Sequence, residues 1–225
     1  MKNGGNNMGK KFIMSYSCGK DSTLALYRMI QQGHKPSALL VTVDKKAGRS
    51  WFHGVPNGLL DEVSKALDIP LMIVESSGTD YEVTFKEALI RAKENLGIDS
   101  CVYGDIDLEG HREWCTDRCE EAGIEAVFPL WQEGREDLVY EFIDSGFKTV
   151  IKNVNLQWLG EEFLGKTLTR EVVHDIKATG SDACGENGEY HSFVYDGPLF
   201  KNPIDFEAAG IVKTETHGYL DIRGK

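Results

Sequence analysis

The sequence predicts an α/β fold: a five-stranded parallel sheet with helices on both faces, followed by a smaller C-terminal α+β domain. Short apolar runs alternate with helical patterns between residues 11 and 128, which is typical of βαβ crossovers. This alternation stops after residue 131, and glycine, asparagine and aspartate become frequent after residue 180. We therefore predict a flexible tail at residues 1–9, a domain at 10–130 and a second domain at 131–225.

The elements of the first domain follow from local patterns. An apolar run predicts the first strand at about 11–16, and the helix at about 21–32 ends before Gly33. The run Ala-Leu-Leu-Val-Thr-Val at 38–43 is almost wholly apolar, as buried parallel strands are. The other predicted elements are helices at about 58–68, 80–96 and 110–122 and strands at 71–74, 99–103 and 125–128.

The second domain has fewer recognisable elements. A helix is predicted at about 135–145, a strand at 147–151 and a helix at about 169–179. The mixture of helix and isolated strand, without the strand–helix alternation of the first domain, predicts an α+β unit that covers the site of the first domain.

The composition limits the class of protein. A net charge of −11 argues against a nucleic-acid partner, because nucleic acids are bound by clustered lysine and arginine. No apolar stretch reaches the roughly 18 residues of a membrane helix, which argues against a membrane partner. Five cysteines without a secretory signal predict reduced thiols in a cytoplasmic protein. The sequence does not decide between a monomer and a homodimer.

Residues 17–22, Ser-Cys-Gly-Lys-Asp-Ser, connect the first strand to the first helix. The first N–H groups of a helix lack internal partners and attract anions, and Gly19 lets a phosphate approach the backbone. Lys20 adds a positive charge, and the two serines add hydroxyl donors. The segment predicts a phosphate site, but it is not a Walker A motif, because Asp21 follows the lysine in place of serine or threonine.

This segment resembles the PP-loop of the N-type ATP pyrophosphatases, whose usual form is Ser-Gly-Gly-Lys-Asp-Ser, and Cys18 replaces its first glycine. The resemblance implies an adenine nucleotide α-hydrolase-like (HUP-type) fold with strand order 3-2-1-4-5. Ligands then bind where the order reverses, at the carboxyl ends of strands one and four, which are residues 15–22 and 104–107. The expected ATP-binding residues are Ser15, Ser17, Cys18, Gly19, Lys20, Asp21, Ser22, Asp44, Gly104 and Asp105.

Three carboxylates near this crevice have expected roles. ATP chemistry needs a divalent cation, and Asp21 and Asp105 are the candidate Mg²⁺ ligands. The alternative for Asp105 is a turn or a helix cap. Asp44 ends the second strand, where an acidic residue accepts hydrogen bonds from a ribose in dinucleotide folds. A loop aspartate that forms a turn explains Asp44 equally well.

A second polar segment, Gly-Glu-Asn-Gly-Glu-Tyr-His-Ser, occupies residues 185–192. Two carboxylates, an amide, a phenol and an imidazole in so short a segment are costly in a core and unnecessary in a surface turn, so they predict a site. The alternative is a β-hairpin. Arg112 is a further candidate, because a guanidinium suits phosphate contacts, and the alternative is a solvated surface arginine.

The segment from Glu186 to Ser192 is similar to the Glu-x-Gly-Glu-Tyr-His-Thr signature of the diphthine–ammonia ligase family, the amide-forming branch of the pyrophosphatases. The PP-loop, the His53 region, Gly104-Asp105-Ile106, Pro129-Leu130-Trp131 and this segment occur in the family's order. The resemblance covers about residues 10–200.

The resemblance implies an ATP-dependent ligase of diphthamide biosynthesis that uses Mg²⁺ and ammonium. A carboxylate attacks the ATP α-phosphate, which gives an acyl-adenylate and pyrophosphate, and ammonia then displaces AMP. The acceptor is diphthine on a translation elongation factor, or another carboxylate. The expected catalytic residues are Lys20, Asp21, Glu186, Glu189 and His191. The expected substrate-binding residues are His53, Arg112, Glu186, Asn187, Glu189, Tyr190 and His191.

Within this interpretation, Glu186 and Glu189 bind ammonium or the trimethylammonium group of diphthine, and one of them takes a proton. Two other functions fit the same fold. A tRNA thiolase would use Cys18, Cys115 or Cys184 as persulfide carriers, but the acidic charge and the absence of Cys-x-x-Cys pairs oppose it. A non-catalytic nucleotide sensor has no need of the polar cluster at 185–192.

Overall fold

The computed structural model describes residues 9–225, so the tail predicted at residues 1–9 falls outside the described residues except for Gly9. The first half of the chain alternates strands and helices. Its elements are β1 Lys11–Ser15, α1 Lys20–Gln31, β2 Lys35–Asp44, β3 Arg49–Ser50, α2 Asn57–Leu67, β4 Leu71–Ser76, α3 Tyr81–Leu96, β5 Ser100–Val102, α4 Glu109–Ala122 and β6 Glu125–Val127.

Five of these strands form a parallel sheet in the order β4-β2-β1-β5-β6. β1, β2, β4, β5 and β6 are the five predicted strands in chain order, so the predicted strand order 3-2-1-4-5 is confirmed. The two-residue β3 pairs antiparallel with the end of β2 and was not predicted, because so short a strand has no periodic pattern.

Helices cover both faces of the sheet, as predicted. Along β1, Phe12 and Met14 point into a core shared with α1 and α2. Ile13, between them, points into a second core shared with α3 and α4. This alternation is the two-residue period of a strand, and each fully buried large apolar side chain contributes about 1.5–3 kcal/mol.

The second half is an α+β unit, as predicted. Its elements are α5 Arg135–Asp144, β7 Lys148–Asn155, a 3₁₀ turn Glu161–Phe163, α6 Arg170–Ala178, β8 Tyr190–Asp196, β9 Phe206–Lys213 and β10 His217–Gly224. The four strands form an antiparallel sheet in the order β8-β7-β10-β9. β7 is longer than the strand predicted at 147–151, and β8, β9 and β10 were not predicted as strands.

The two halves share one apolar core. Phe193 and Val194 of β8 and Ile222 of β10 lie in the same cluster as Leu24 of α1. At this contact the Val194 N–H donates a hydrogen bond of 2.9 Å to the Cys18 carbonyl. β8 is therefore held directly against residues 17–22. No helix of residues 9–225 combines the length and the apolar character needed to cross a bilayer.

Candidate active site

A cleft of about 480 Å³ opens at the carboxyl ends of β1 and β5, where the strand order reverses. Its lining comes from residues 15–22, the loop after β3, the start of α3, the turn after β5, α4 and residues 185–192. The lining residues are Ser15, Ser17, Lys20, Asp21, Ser22, Phe52, His53, Tyr81, Phe85, Tyr103, Gly104, Asp105, Leu108, His111, Trp114, Cys115, Gly185, Glu186, Tyr190, His191 and Ser192.

Residues 17–22, called the phosphate loop below, are held by their own side chains and by β8. The Gly19 N–H donates to Ser17 Oγ at 3.2 Å, and Ser22 Oγ donates to the Gly19 carbonyl at 3.1 Å. The Lys20 N–H donates to Ser192 Oγ at 3.2 Å. The serine at position 192, where the resembling signature has threonine, thus supplies the hydroxyl that joins β8 to the start of α1.

Lys20 and Asp21 form an ion pair, with 2.7 Å between Lys20 Nζ and Asp21 Oδ2. Burial of Lys20 lowers its pKa, but the adjacent Asp21 carboxylate outweighs burial and holds that pKa well above its usual value. The lysine is therefore charged at every pH at which ATP chemistry is assayed, and it lines the cleft as a fixed cation.

Cys18 does not line the cleft, and its predicted contact with ATP stays a prediction. Its φ is +65°, the left-handed conformation that favours glycine, and its fully buried side chain points into the core. Cys18 thus reproduces the backbone path of the glycine usual at this position, while its thiol packs away from the cleft.

Two glycines allow close approach around the loop. A Cβ on Gly104 would lie 2.7 Å from the backbone nitrogen of Ser22, so the turn after β5 and the start of α1 touch backbone to backbone. A Cβ on Gly19 would lie 2.3 Å from Cε1 of His53. The His53 ring therefore packs directly on the phosphate loop, which requires glycine at position 19.

Glu186 is a carboxyl group with a raised pKa that lines the cleft. Burial is the main cause, the neighbouring Asp21 and Asp105 carboxylates add to it, and Lys20 opposes it; the resulting pKa is about 7. A group that titrates near neutral pH can both accept and return a proton under physiological conditions. Within the 185–192 segment, Glu186 therefore has the properties of a general base.

Glu189 does not line the cleft, and its predicted roles in substrate binding and proton transfer stay predictions. It is buried, and its carboxylate accepts hydrogen bonds from the N–H of Asp182 at 3.3 Å and from the N–H and Nδ2 of Asn187 at 3.0 and 3.1 Å. Asn187 also lies outside the cleft lining. Both residues hold the 182–189 turn together, which places Glu186 in the cleft.

The rings of His53 and His191 lie 4.8 Å apart between centroids, tilted by 48° to each other, and both line the cleft. His53 Nδ1 lies 2.7 Å from the Ser192 carbonyl, which can only accept, so Nδ1 carries the proton. Burial and the positive charge of Lys20 lower the pKa of His191 to about 4, and burial and His191 lower that of His53. Both imidazoles are neutral near pH 7, which makes His191 a poor base.

The opposite side of the cleft is aromatic and was not predicted. Tyr81 stacks on Phe85 at 6.1 Å between centroids, and Trp114 contacts both rings at 5.8 and 5.2 Å. Phe52 is largely exposed at the rim, 6.3 Å from Tyr81. Tyr81 and Phe85 are spaced i, i+4 at the start of the helix that follows β4, and this pattern was the available signal.

Three further predicted residues, Gly19, Asp44 and Arg112, also lie outside the cleft lining, and the roles predicted for them stay predictions. Asp44 Oδ1 accepts the N–H groups of Lys46 and Ala47, so Asp44 forms the turn that was the alternative to a ribose contact. Arg112 stacks its guanidinium over the ring of Trp131 at 4.7 Å. Tyr190 does line the cleft, but its hydroxyl donates to the Ala183 carbonyl and is not free for substrate.

The three cysteines considered as persulfide carriers, Cys18, Cys115 and Cys184, are poorly suited to that role. All five are buried, and burial raises the pKa of Cys18, Cys115 and Cys184 well above the usual value of a thiol. Because the thiolate is the reactive form, these residues are poor sulfur carriers, which opposes the thiolase alternative. Within residues 9–225, no group of three or more His, Cys, Asp or Glu side chains is placed to hold a metal ion.

Comparison with known proteins finds matches along most of the chain. The family model described as the diphthamide synthase N-terminal domain matches residues 10–126, and the diphthamide synthase C-terminal domain matches 134–225. Among curated relatives, the diphthine–ammonia ligase of Mus musculus is 28% identical over 92% of this chain and 86% of its own length. Those of Homo sapiens (28%; 87% and 82%) and Rattus norvegicus (29%; 84% and 79%) are similar to the same extent.

Proposed function

The chain belongs to the diphthamide synthase family and is an ATP-dependent ligase of diphthamide biosynthesis, and we propose that its cleft amidates diphthine in two steps. First, a carboxylate oxygen of diphthine attacks the ATP α-phosphorus, and the bond to the β-phosphate breaks, which releases pyrophosphate. Second, ammonia attacks the acyl carbon of the adenylate, AMP leaves, and one proton is released. The products are diphthamide, AMP and pyrophosphate.

One observation carries this proposal: the phosphate loop and the 185–192 segment line the same cleft, although about 160 residues separate them. Hydrogen bonds from Val194 to Cys18 and from Lys20 to Ser192 keep the two segments together. A site for phosphoryl chemistry and a base for amine chemistry therefore share one volume, as a ligase that passes an adenylate between two steps requires.

The two sides of the cleft suit the two ends of ATP. We assign the triphosphate to the phosphate loop, where Lys20 and the start of α1 stabilise charge on the departing pyrophosphate. We assign adenine to the aromatic side formed by Tyr81, Phe85 and Trp114, because a base stacks well on aromatic rings.

The side chains on the polar side fit a magnesium ion that is bound mainly by phosphate. Asp21 and Asp105 line the cleft, and Mg²⁺ in nucleotide sites takes one or two carboxylates together with phosphate oxygens. A third protein carboxylate in contact is not needed in such a site. We propose Asp21 and Asp105 as the residues that hold the ion, which would neutralise charge on the polyphosphate.

The ammonia step is assigned to Glu186. The cleft carries the carboxylates of Asp21, Asp105 and Glu186, so it attracts ammonium, and a Glu186 pKa of about 7 allows this group to take the proton released on amide formation. His191, with a pKa of about 4, is much less basic. We propose that residues 10–130 adenylate the acceptor and that residues 131–225 complete the site for ammonia and for the elongation factor that carries diphthine.

The test is a complete reaction with the full chain, ATP, Mg²⁺, isotopically labelled ammonium and an elongation factor that carries diphthine. We expect AMP and pyrophosphate in equal amounts and labelled nitrogen in the product, detected by mass spectrometry. Glu186→Gln should still release pyrophosphate but form little amide, and Arg170→Gln, on the exposed surface of the second half, is the matched control. ADP as the only nucleotide product would refute attack at the α-phosphate.

A further inference from the structure

A polar link between the two halves that lies outside the cleft lining is centred on Arg135, the first residue of α5. Its Nε and Nη2 donate to both carboxylate oxygens of Asp107, each at 2.7 Å. Its Nη1 donates to Asp182 at 2.8 Å and to the Asn187 side-chain carbonyl at 3.1 Å. One side chain thus joins the turn after β5 to the 182–189 turn, using bonds in the planar geometry that only a guanidinium offers.

The contacts of Arg135 continue directly to Glu186. The Asp182 oxygen that accepts from Arg135 also accepts the backbone N–H of Glu186, at 3.2 Å. Asn187, the other partner, is held by the buried Glu189 carboxylate. Asp182 therefore holds the backbone N–H of Glu186, and the next residue, Asn187, is held by Glu189. Arg135 contacts both Asp182 and Asn187.

At the other end, Asp107 lies two residues after Asp105, which lines the cleft. The Arg135 and Asp182 side chains are mostly shielded, with exposed fractions of 25% and 15%. Partly buried, bidentate contacts hold their geometry better than exposed single ion pairs do. The distance between the Asp105 side of the cleft and Glu186 therefore depends on Arg135.

We propose that Arg135 is a positioning residue for the amide-forming step: it sets where Glu186 stands relative to the adenylate that forms on the other side of the cleft. This inference rests on the proposed function of Glu186. Arg135 does not line the cleft, so it touches neither the nucleotide nor the reacting atoms. Its loss should affect the capture of ammonia and leave adenylation, which uses the phosphate loop, almost unchanged.

Arg135→Gln tests this by separating the two steps. A displacement of a reacting group by about 1 Å costs up to about 100-fold in rate, so we expect the ammonium KM to rise by about 10-fold or more. The ATP KM and the rate of pyrophosphate release should stay near wild type, with more of the adenylate lost to water. Arg135→Lys keeps the positive charge but lacks the paired N–H donors that bind both oxygens of Asp107, and it should give an intermediate ammonium KM.

Arg170→Gln is the matched control, because Arg170 also forms a two-bond contact with a carboxylate, Asp144, in the same half but away from the cleft. It should leave both steps unchanged. Asp107→Asn should raise the ammonium KM as Arg135→Gln does, and the double variant should be no worse than either alone, because the two residues act through one contact. Equal losses in both steps for Arg135→Gln, or additive effects in the double variant, would overturn the proposal.

A measurement without substrates separates this proposal from the proposed function. Amide hydrogen exchange of the 182–189 turn should be faster in Arg135→Gln than in wild type and unchanged in Arg170→Gln. If wild type forms no amide but the turn still loosens, the assignment of the reaction fails and the positioning contact stands. If the turn is equally protected in all three proteins, Arg135 does not position Glu186.

Discussion

Replacing Glu186 by glutamine should stabilise the folded protein while it abolishes most amide formation. Gln keeps the shape of the side chain and removes a carboxyl group that the cleft disfavours in its charged form. Burial and the carboxylates of Asp21 and Asp105 raise the pKa of Glu186 from 4.5 to about 7. In the unfolded chain, where these neighbours are absent, the carboxyl ionises near its ordinary value.

The size and the sign of the effect follow from this difference. A folded-state pKa above the unfolded one means that ionisation favours the unfolded chain, so stability is lost as pH rises from about 4.5 to about 7. A rise from 4.5 to about 7 corresponds to about 3 kcal/mol, which is the upper limit because water reaches part of the side chain. The variant should therefore match wild type at pH 4.5 and exceed it by up to about 3 kcal/mol at pH 8.

The assay is urea unfolding of wild type and Glu186→Gln, without nucleotide or Mg²⁺, at several pH values between 4.5 and 8. The difference in the free energy of unfolding should grow with pH and then level off above pH 7. In the same proteins, amide formation at pH 8 should fall by about 100-fold or more, as general-base variants typically do. A difference that does not change with pH, or a variant less stable than wild type at pH 8, would refute the reasoning.

Three further predictions concern residues with different contacts. Glu189→Gln should destabilise the protein by about 2–4 kcal/mol in urea unfolding. The two carboxylate oxygens of Glu189 accept hydrogen bonds from three N–H groups, and the amide nitrogen of glutamine cannot accept a hydrogen bond. Equal stability would show that Glu189 does not hold the turn. Cys18→Gly and Cys18→Ser should keep ATP-dependent turnover within about twofold, because the thiol points into the core. Cys18→Val should lower the free energy of unfolding by about 2 kcal/mol or more, since a β-branched residue avoids φ of +65°. Loss of turnover in Cys18→Ser would show that the thiol takes part in chemistry. Gly104→Ala should raise the ATP KM, because its Cβ would lie 2.7 Å from the Ser22 backbone and must push the phosphate loop away. An unchanged ATP KM together with unchanged stability would contradict the backbone contact. Gly110→Ala, where a Cβ meets open space, is the control.

The fold of the first half was predictable because its signals are local. Buried parallel strands are recognisable as short apolar runs, and glycine ends several helices, so the four helices predicted in this half are present to within one residue. The antiparallel strands of the second half were harder to predict. β9 is exposed along almost its whole length, and it therefore lacks the apolar alternation that identifies a strand.

The neighbourhood of some cleft residues could be predicted from the sequence, and that of others could not. Lys20, Asp21, Gly104 and Asp105 follow strands whose carboxyl ends meet at the reversal of strand order, so their neighbourhood followed from topology. The aromatic side of the cleft did not, because Tyr81 and Trp114 come from helices on two different strand connections. No spacing in the sequence says that their rings approach to 5.8 Å.

The sequence alone determined the parallel sheet, the phosphate loop and the segment that carries the second set of polar groups, since each is encoded by neighbouring residues. Only the tertiary structure decided which of two glutamates three residues apart enters the cleft. Glu189 is turned inward by three N–H donors, and Glu186 faces Asp21 and Asp105 from distant parts of the chain. Direction and pKa depend on packing and on charges that folding brings together, and neither is a property of a local pattern.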